Sequence, residues 1–175
     1  MRIIAGEWGG RRLRPVRERG IRPTTDRIRE AWMAALGPEL PGARVLDLFA
    51  GSGALGLEAL SRGAEEVVFV ERSRGGLRVL RENVELLGAG DRCRIVGGDV
   101  YRFLTGFGEE PFDLCVADPP YGEGHAERLL RSFADRPFAR ALWVEHRSSD
   151  PVPELEGLRE RRYGDTVITI AEVEA

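Results

Sequence analysis

The chain has 175 residues, of which 42% are apolar and 31% are charged. These values are typical of one soluble globular domain, and no apolar run approaches the roughly 20 residues that a membrane-spanning helix needs. The first residues contain no apolar signal-peptide stretch. Cys93 and Cys115 lie in strand-like runs without metal-ligand spacing. We therefore expect a cytoplasmic protein with reduced cysteines, no membrane contact and no bound metal.

Charge is unevenly distributed along the chain. The formal net charge is −3, yet residues 1–36 contain nine arginines and only four acidic residues. The remaining residues contain 17 arginines and 25 acidic residues. A basic segment on an otherwise acidic chain indicates that the N-terminal part contacts a polyanion.

Two short arginine-bearing segments, residues 2–5 and 11–14, flank a glycine-containing turn at residues 6–10. Glycine between strand-like arms predicts a β-hairpin. Because the arms carry few apolar side chains, we expect them to lie on the body of the protein without forming its core. We assign residues 1–22 to this basic appendage, which we expect to contact the polyanion, and residues 23–175 to the main domain.

The segment at residues 22–27, Arg-Pro-Thr-Thr-Asp-Arg, opens a predicted helix that ends near Leu36. Thr24 or Thr25 is a suitable N-cap, and the following Gly-Pro pair stops the helix. The pattern fits a capped helix alone. It also fits a helix whose first N–H groups, threonine hydroxyls and neighbouring Arg22 bind an anionic group.

From residue 44 onwards, apolar runs of strand length alternate with segments of helical periodicity. This order predicts a parallel α/β sheet, and a Gly-Asp turn near the end of the chain predicts a closing antiparallel pair. The predicted strands cover residues 44–49, 66–71, 93–96, 112–117, 141–145, 158–163 and 166–173.

A glycine-rich turn follows the first predicted strand. Gly51, Gly53 and Gly56 satisfy the G-x-G-x-x-G dinucleotide-binding pattern, and Glu71 lies 20 residues after Gly51. Glycine lets the backbone approach a ligand closely, and an acid at the end of the second strand can accept hydrogen bonds from ribose hydroxyls. The sequence therefore predicts a nucleoside-containing cofactor without identifying it.

Two further acidic residues favour S-adenosylmethionine over a nicotinamide cofactor. Asp47 lies where the first strand leads into the glycine turn, and there it would repel a pyrophosphate but attract the cationic aminoacyl end of S-adenosylmethionine. Asp99 follows the third strand, where it can reach an adenine amine or, alternatively, cap the next helix.

The fourth predicted strand runs directly into Asp118-Pro119-Pro120-Tyr121. The two prolines prevent both strand pairing and helix formation, so the chain leaves the sheet in an extended, stiff conformation. Asp118 and Tyr121 then lie at the edge where open α/β sheets bind ligands. This corner would suit a planar ring that carries an amine.

The tetrapeptide resembles the (Asp/Asn)-Pro-Pro-(Tyr/Phe/Trp) motif of class I amino-methyltransferases. Together with residues 22–27, residues 47–56, Val144-Glu145 and the turn at residues 163–166, it makes the chain similar to the RsmD family of bacterial 16S rRNA (guanine-966-N2)-methyltransferases. The resemblance implies a Rossmann-like class I fold, with a mostly parallel seven-stranded sheet and an antiparallel C-terminal strand. It also implies S-adenosyl-L-methionine as cofactor and 16S rRNA, in the assembled or assembling 30S subunit, as partner. We expect a monomer.

The resemblance assigns catalysis to Asp118, Pro119, Pro120 and Tyr121. Asp118 and the Pro119 carbonyl would hold the amino hydrogens of guanine, and Tyr121 would stack on a base extruded from its RNA context. A ring that only packs the loop onto the body is the alternative for Tyr121.

The resemblance also implies that Gly51 contacts the methionine end of the cofactor, Glu71 the ribose and Asp99 the adenine. Arg22 and Thr24 would close over the methionine carboxylate. The complete predicted cofactor-binding set is Arg22, Thr24, Asp47, Phe49, Gly51, Ser52, Gly53, Glu71, Arg72, Asp99, Val100 and Asp118.

Other interpretations stay open at this point. The same glycines fit a nicotinamide-dependent oxidoreductase, the Pro-Pro corner fits a DNA or RNA adenine amino-methyltransferase, and the basic appendage fits a non-catalytic RNA-binding module. We expect His125 to be a solvated loop residue and His146 to be structural or solvent-facing. Neither histidine has a catalytic-triad or metal-ligand arrangement.

Overall fold

A single seven-stranded sheet forms the centre of the computed structural model, which describes residues 1–17 and 25–174. The spatial strand order is β3-β2-β1-β4-β5-β7-β6, and only β7 runs antiparallel to its neighbours β5 and β6. The predicted mostly parallel sheet with an antiparallel C-terminal strand is therefore confirmed. The strands are β1 Arg44–Leu48, β2 Glu66–Glu71, β3 Cys93–Gly97, β4 Phe112–Ala117, β5 Ala139–Arg147, β6 Arg159–Tyr163 and β7 Thr166–Glu172.

Within the described residues, five α-helices connect and cover the strands. Capping residues fix both ends of α3: Ser73 accepts a hydrogen bond from the Gly76 N–H before the helix, and Gly88 ends it in the left-handed conformation. No helix in the described ranges is long and apolar enough to cross a membrane. The helices are α1 Asp26–Leu36, α2 Ala54–Ser61, α3 Arg74–Leu87, α4 Val100–Gly106 and α5 His125–Asp135, with 3-10 turns at Gly37–Glu39 and Gly90–Arg92.

The central strands are buried on both faces, which explains their nearly continuous apolar sequences. Val67 and Phe69 of β2 pack on the side of the sheet that α1, α2 and α3 cover. Val68 and Val70 of the same strand pack on the opposite side, beneath α4 and α5. The alternation of side chains along a strand therefore divides the core into two layers.

Parallel pairing brings the carboxyl ends of four strands to one edge of the sheet. Leu48 of β1 is in register with both Val70 of β2 and Ala117 of β4, and Ala117 is in register with Val144 of β5. The loops that follow these strands are therefore neighbours, although the sequence separates them by tens of residues.

The N-terminal arms pair as predicted, but they are more deeply integrated than their composition suggested. Arg2 and Arg12 form an antiparallel bridge, and the Ile3 N–H donates to the Arg11 carbonyl at 2.8 Å. Ile3, Trp8 and Leu13 are buried in the main core. The expectation that this segment contributes no core is wrong, because three widely spaced apolar residues leave no periodic pattern in the sequence.

A buried glutamate on α2 fixes the appendage to the domain. Glu58 is fully buried, and its carboxylate accepts hydrogen bonds from the N–H groups of Ile4 at 2.9 Å and Ala5 at 3.1 Å. Arg62, one turn later on α2, pairs with the same carboxylate at 3.0 Å. The charge is therefore buried with three donors, as a stable buried carboxylate requires.

Replacing Glu58 with Ala should lower the free energy of unfolding by about 3 kcal/mol, because the two N–H groups and Arg62 would have no acceptor. The matched control is Glu85→Ala on the exposed face of α3, which should change stability by less than about 0.5 kcal/mol. Urea unfolding followed by circular dichroism measures both. Equal stability of the two variants would contradict the proposed role of Glu58.

Candidate active site

The glycine turn after β1 is held by a buried carboxylate. Asp47 is 1% exposed, and its Oδ2 atom accepts a hydrogen bond from the Gly56 N–H at 2.9 Å. Gly53 has a left-handed backbone with φ of 82°, and a Cβ atom there would lie 2.4 Å from the Leu80 side chain. Glycine is therefore required at this position by both conformation and space.

Glu71 joins the glycine turn to the start of α3. Its Oε2 atom accepts from the Gly51 N–H at 2.7 Å, and its Oε1 atom accepts from the Ser73 N–H at 2.9 Å. A carboxylate can accept about four hydrogen bonds, so both oxygens retain capacity for a ligand hydroxyl. The structure thus places Glu71 beside the turn, as its spacing predicted.

Asp99 lies at the next strand end along the same edge. Its Oδ1 atom accepts from the Arg102 N–H at 3.0 Å, so it is the N-cap of α4, and Val100 behind it is buried. The Gly98 N–H donates to the Glu71 carbonyl at 2.9 Å, which holds the third strand end against the second. The helix-cap role of Asp99 is confirmed, and its contact with an adenine stays a prediction.

Negative charge is concentrated where β1, β2 and β4 end. Burial raises the pKa of Asp47 well above its usual range, the Gly56 N–H opposes that rise, and the charges of Asp118 and Glu71 raise the pKa further. These repulsions are significant only if the three carboxylates are close together. The site therefore favours a cationic ligand and disfavours a pyrophosphate.

The Asp118-Pro119-Pro120-Tyr121 corner follows β4 directly and is anchored by β5. The Tyr121 hydroxyl donates a hydrogen bond to the Glu145 carboxylate, which is buried at the end of β5. Burial and this hydrogen bond both raise the pKa of Tyr121, so the phenol remains protonated and a donor. The Tyr121 ring is thus fixed in orientation, which is compatible with both packing and stacking.

A second carboxylate holds the residue after the corner. Asp150 accepts from the Gly122 N–H at 3.1 Å and from the Arg147 N–H at 3.0 Å. The Arg147 guanidinium also lies over the Tyr121 ring, 5.1 Å from its centroid. Asp150 was not predicted from the sequence, although its place in a Ser-Ser-Asp-Pro turn marks it as a residue that can bind backbone N–H groups.

An aromatic cluster lies between the first and fourth strand ends. Phe49, which has a φ of 56°, packs against His125 with ring centroids 4.8 Å apart. The Tyr101 hydroxyl is hydrogen-bonded to His125 Nδ1 at 2.6 Å, and Glu123 is bonded to the other ring nitrogen at 3.0 Å. Burial raises the pKa of Tyr101 to about 12. His125 is therefore a packed residue at the start of α5, and the expectation of a solvated loop histidine is wrong.

The remaining predicted site residues are distributed as follows. Ser52 is buried, with its carbonyl accepting from the Asn83 side chain at 2.9 Å, whereas Arg72 is exposed beside Glu71. His146 is buried and bonded to Thr169 at 2.7 Å, so its expected structural role is confirmed. Arg22 and Thr24 lie outside the described residues.

Comparison with known proteins identifies a family and several methyltransferase relatives. The family model described as "Conserved hypothetical protein 95" matches residues 1–172. Ribosomal RNA small subunit methyltransferase D of Escherichia coli is 42% identical over 77% of this chain and 67% of its own length. Putative rRNA methyltransferase YlbH of Bacillus subtilis is 35% identical over 97% of both chains.

Among solved structures, the putative methyltransferase yhhF from Escherichia coli superposes with a TM-score of 0.84 at 37% identity, covering 100% of this chain and 98% of the other. The fold is therefore that of the class I methyltransferases, as predicted. The family match and the relatives together show that the chain belongs to the Conserved hypothetical protein 95 family, that of the RsmD-type ribosomal RNA small subunit methyltransferases.

Proposed function

We propose that this protein transfers a methyl group from S-adenosyl-L-methionine to the exocyclic N2 amine of a guanine in 16S rRNA. The observation that carries the proposal is the concentration of Asp47, Glu71 and Asp118 beside the Pro-Pro corner. A cationic donor relieves the repulsion among these carboxylates, whereas a nicotinamide dinucleotide adds anionic phosphates to it. Two relatives support the choice of substrate: one is named ribosomal RNA small subunit methyltransferase D, and the other is named as a putative rRNA methyltransferase.

Each strand end would contribute one part of cofactor binding. Glu71 would accept hydrogen bonds from the ribose hydroxyls, and Asp99 would accept from the adenine amine. The glycine turn, with Ser52 and the buried Asp47 behind it, would hold the methionine end. When bound, the cofactor supplies an electrophilic methyl group on a sulfonium. Flanking positions would complete the site, with Phe49, Arg72 and Val100 beside the adenosine and Arg22 and Thr24 over the methionine carboxylate.

The corner residues would align the acceptor amine. The lone pair of an exocyclic guanine amine is delocalised into the ring, so the amine is a weak nucleophile. Asp118 and the Pro119 carbonyl can accept its two hydrogens and direct the lone pair towards the methyl group, a combination of positioning and electrostatic stabilisation. Asp118 or water then takes the proton that the methylated amine releases. Tyr121, oriented by Glu145, would stack on the extruded base.

The proposed setting is the bacterial cytoplasm, with a monomer acting on 16S rRNA in the assembled or assembling 30S subunit. The short appendage leaves much of the recognition to the folded RNA, or to the ribonucleoprotein that contains it. Adenine amines could occupy the same corner, so the identity of the modified base is the most discriminating observable.

Mapping rRNA modifications in a strain that lacks this gene tests the function directly. One 16S rRNA guanosine should lose a single N2 methyl group, as measured by mass spectrometry of nuclease fragments. The wild-type gene and Asp135→Ala, a control on the exposed end of α5, should restore the methyl group. Asp118→Ala should not restore it, because kcat falls by roughly 100-fold or more without the acceptor. An unchanged 16S modification pattern in the deletion strain would refute the proposal.

Cofactor identity can be measured by calorimetry. S-adenosylmethionine should bind, whereas NAD should not. Burial raises the pKa of Asp47, and a nearby cation lowers it, so binding at a pH between the pKa values of the free and bound protein should release protons. The apparent enthalpy should therefore differ between buffers of different ionisation enthalpy, and Asp47→Asn should remove the difference. Identical enthalpies for the wild-type protein would exclude this electrostatic role.

The link between Tyr121 and Glu145 should affect turnover more than cofactor affinity. Tyr121→Phe and Glu145→Gln should each lower kcat roughly tenfold, because both loosen the ring that positions the base. The double variant should be no slower than the slower single variant, since the two side chains act through one hydrogen bond. Tyr163→Phe in β6 is the control. Additive losses would show that the two residues act independently.

A further inference from the structure

A basic cleft separates the end of the N-terminal arms from helix α3. Its volume is about 460 Å³, and it is open to solvent along one side. One wall is the chain segment at residues 14–17, and the other is the N-terminal part of α3. The lining residues are Arg14, Pro15, Val16, Arg17, Gly75, Arg78, Val79 and Glu82.

The described lining of the cleft contains three arginines but only one acidic residue. Among the residues that the structure describes, Glu82 is the one acidic residue of the lining, and it is already paired with Arg14 at 3.2 Å. Arg17 and Arg78 are exposed and, within the part of the chain that the structure describes, neither forms an ion pair or a side-chain hydrogen bond. Two guanidinium groups are therefore available to an anionic ligand.

Helix α3 extends this positive surface beyond the cleft. Arg74, Arg78 and Arg81 are spaced at i, i+4 and i+7, which places them on one helix face over roughly 10 Å. All three are exposed, and across residues 1–17 and 25–174 none of them has an ion-pair partner. Some surface arginines elsewhere are already neutralised: Arg131 pairs with Glu127 at 3.0 Å, and Arg159 pairs with an acidic residue of β7.

The cleft wall is rigidly connected to the active site. Asn83 is fully buried in α3, accepts from the Arg14 N–H at 2.8 Å and donates to the Arg14 carbonyl at 2.9 Å. The same amide donates to the Ser52 carbonyl in the glycine turn at 2.9 Å. At the other end, Gly76 packs so closely on Glu71 that a Cβ atom would lie 3.0 Å from its carboxyl carbon. Residues of α3, the helix that forms one wall of the cleft, thus also hold Ser52 and Glu71 at the cofactor edge.

We propose that this cleft, together with the arginine face of α3, binds the phosphate backbone of the RNA whose base enters the Asp118 corner. The guanidinium group matches the geometry of a phosphate and can donate two parallel hydrogen bonds to it. Pro15, Val16 and Val79 give the cleft an apolar floor, on which a sugar or base can rest beside the charged groups. The inference deepens the proposed function and rests on RNA being the substrate.

The test removes the two unpaired arginines of the lining. An Arg17→Ala/Arg78→Ala double variant should bind a 16S rRNA fragment at least about tenfold more weakly than the wild-type protein at moderate salt. The slope of log affinity against log salt should fall by roughly 0.7–0.9 for each phosphate that the protein no longer neutralises. The thermal midpoint and S-adenosylmethionine affinity should not change, because both side chains are exposed to solvent.

The control is an Arg131→Ala/Arg140→Ala double variant, which removes the same charge from exposed positions on α5 and at the start of β5. It should retain RNA affinity and salt slope within about twofold of the wild-type values. Equal weakening of RNA binding in both double variants, or in neither, would overturn the assignment of this cleft.

Failure of the cleft assignment can be distinguished from failure of the proposed methylation. If the wild-type protein methylates no rRNA but the cleft variant alone loses RNA affinity and salt slope, the RNA-binding surface stands and the reaction is wrong. If the wild-type protein methylates 16S rRNA and the cleft variant keeps its KM, affinity and salt slope, the reaction stands and the surface is wrong.

Discussion

Burial of the Asp47 carboxylate beside two other carboxylates, where adjacent parallel strands end, is the physical constraint on which this site depends. Asp47, Glu71 and Asp118 are brought together by strand pairing, and the sheet cannot separate them without losing register. Backbone N–H groups compensate part of the cost: Gly56 donates to Asp47, and Gly51 donates to Glu71. The electrostatic repulsion that these donors leave uncompensated is unfavourable in the free protein and is relieved when a cation binds. The strand order that places the carboxylates side by side therefore also determines which charge of ligand the site prefers.

The same constraint explains why the surrounding loops are so firmly fixed. Charges that repel one another would push flexible loops apart, so each loop needs an independent anchor. Asp150 holds the Gly122 N–H, Glu145 holds the Tyr121 hydroxyl, and Ser73 caps α3 directly after Glu71. Preorganised dipoles and donors of this kind need little rearrangement at the moment of reaction. Rigidity around the corner is thus as important to the proposed chemistry as the corner residues themselves.

Local patterns in the sequence predicted those structural features that are determined by residues close together in the chain. The strand runs, the glycine turn, the Asp99 cap and the position of Glu71 all follow from spacing within a few residues or one β-α-β unit. Interactions between distant parts of the chain could not be predicted in this way. Glu58 is charged yet fully buried, and two of its three donors lie more than 50 residues away in the N-terminal arm. His125 looked like a loop residue for the same reason: the Tyr101 hydroxyl that fixes it lies on another helix.

The most informative of these long-range interactions is made by the buried amide of Asn83. It holds the backbone of Arg14 on one side and the Ser52 carbonyl on the other, so the basic arm and the cofactor turn share one rigid support. An amide with all these bonds satisfied cannot release one neighbour without leaving a buried polar group unpaired. RNA binding that shifts the basic arm would therefore also shift the glycine turn, which would hold the methyl donor. Substrate binding and cofactor geometry would then be coupled through a single side chain that touches neither ligand.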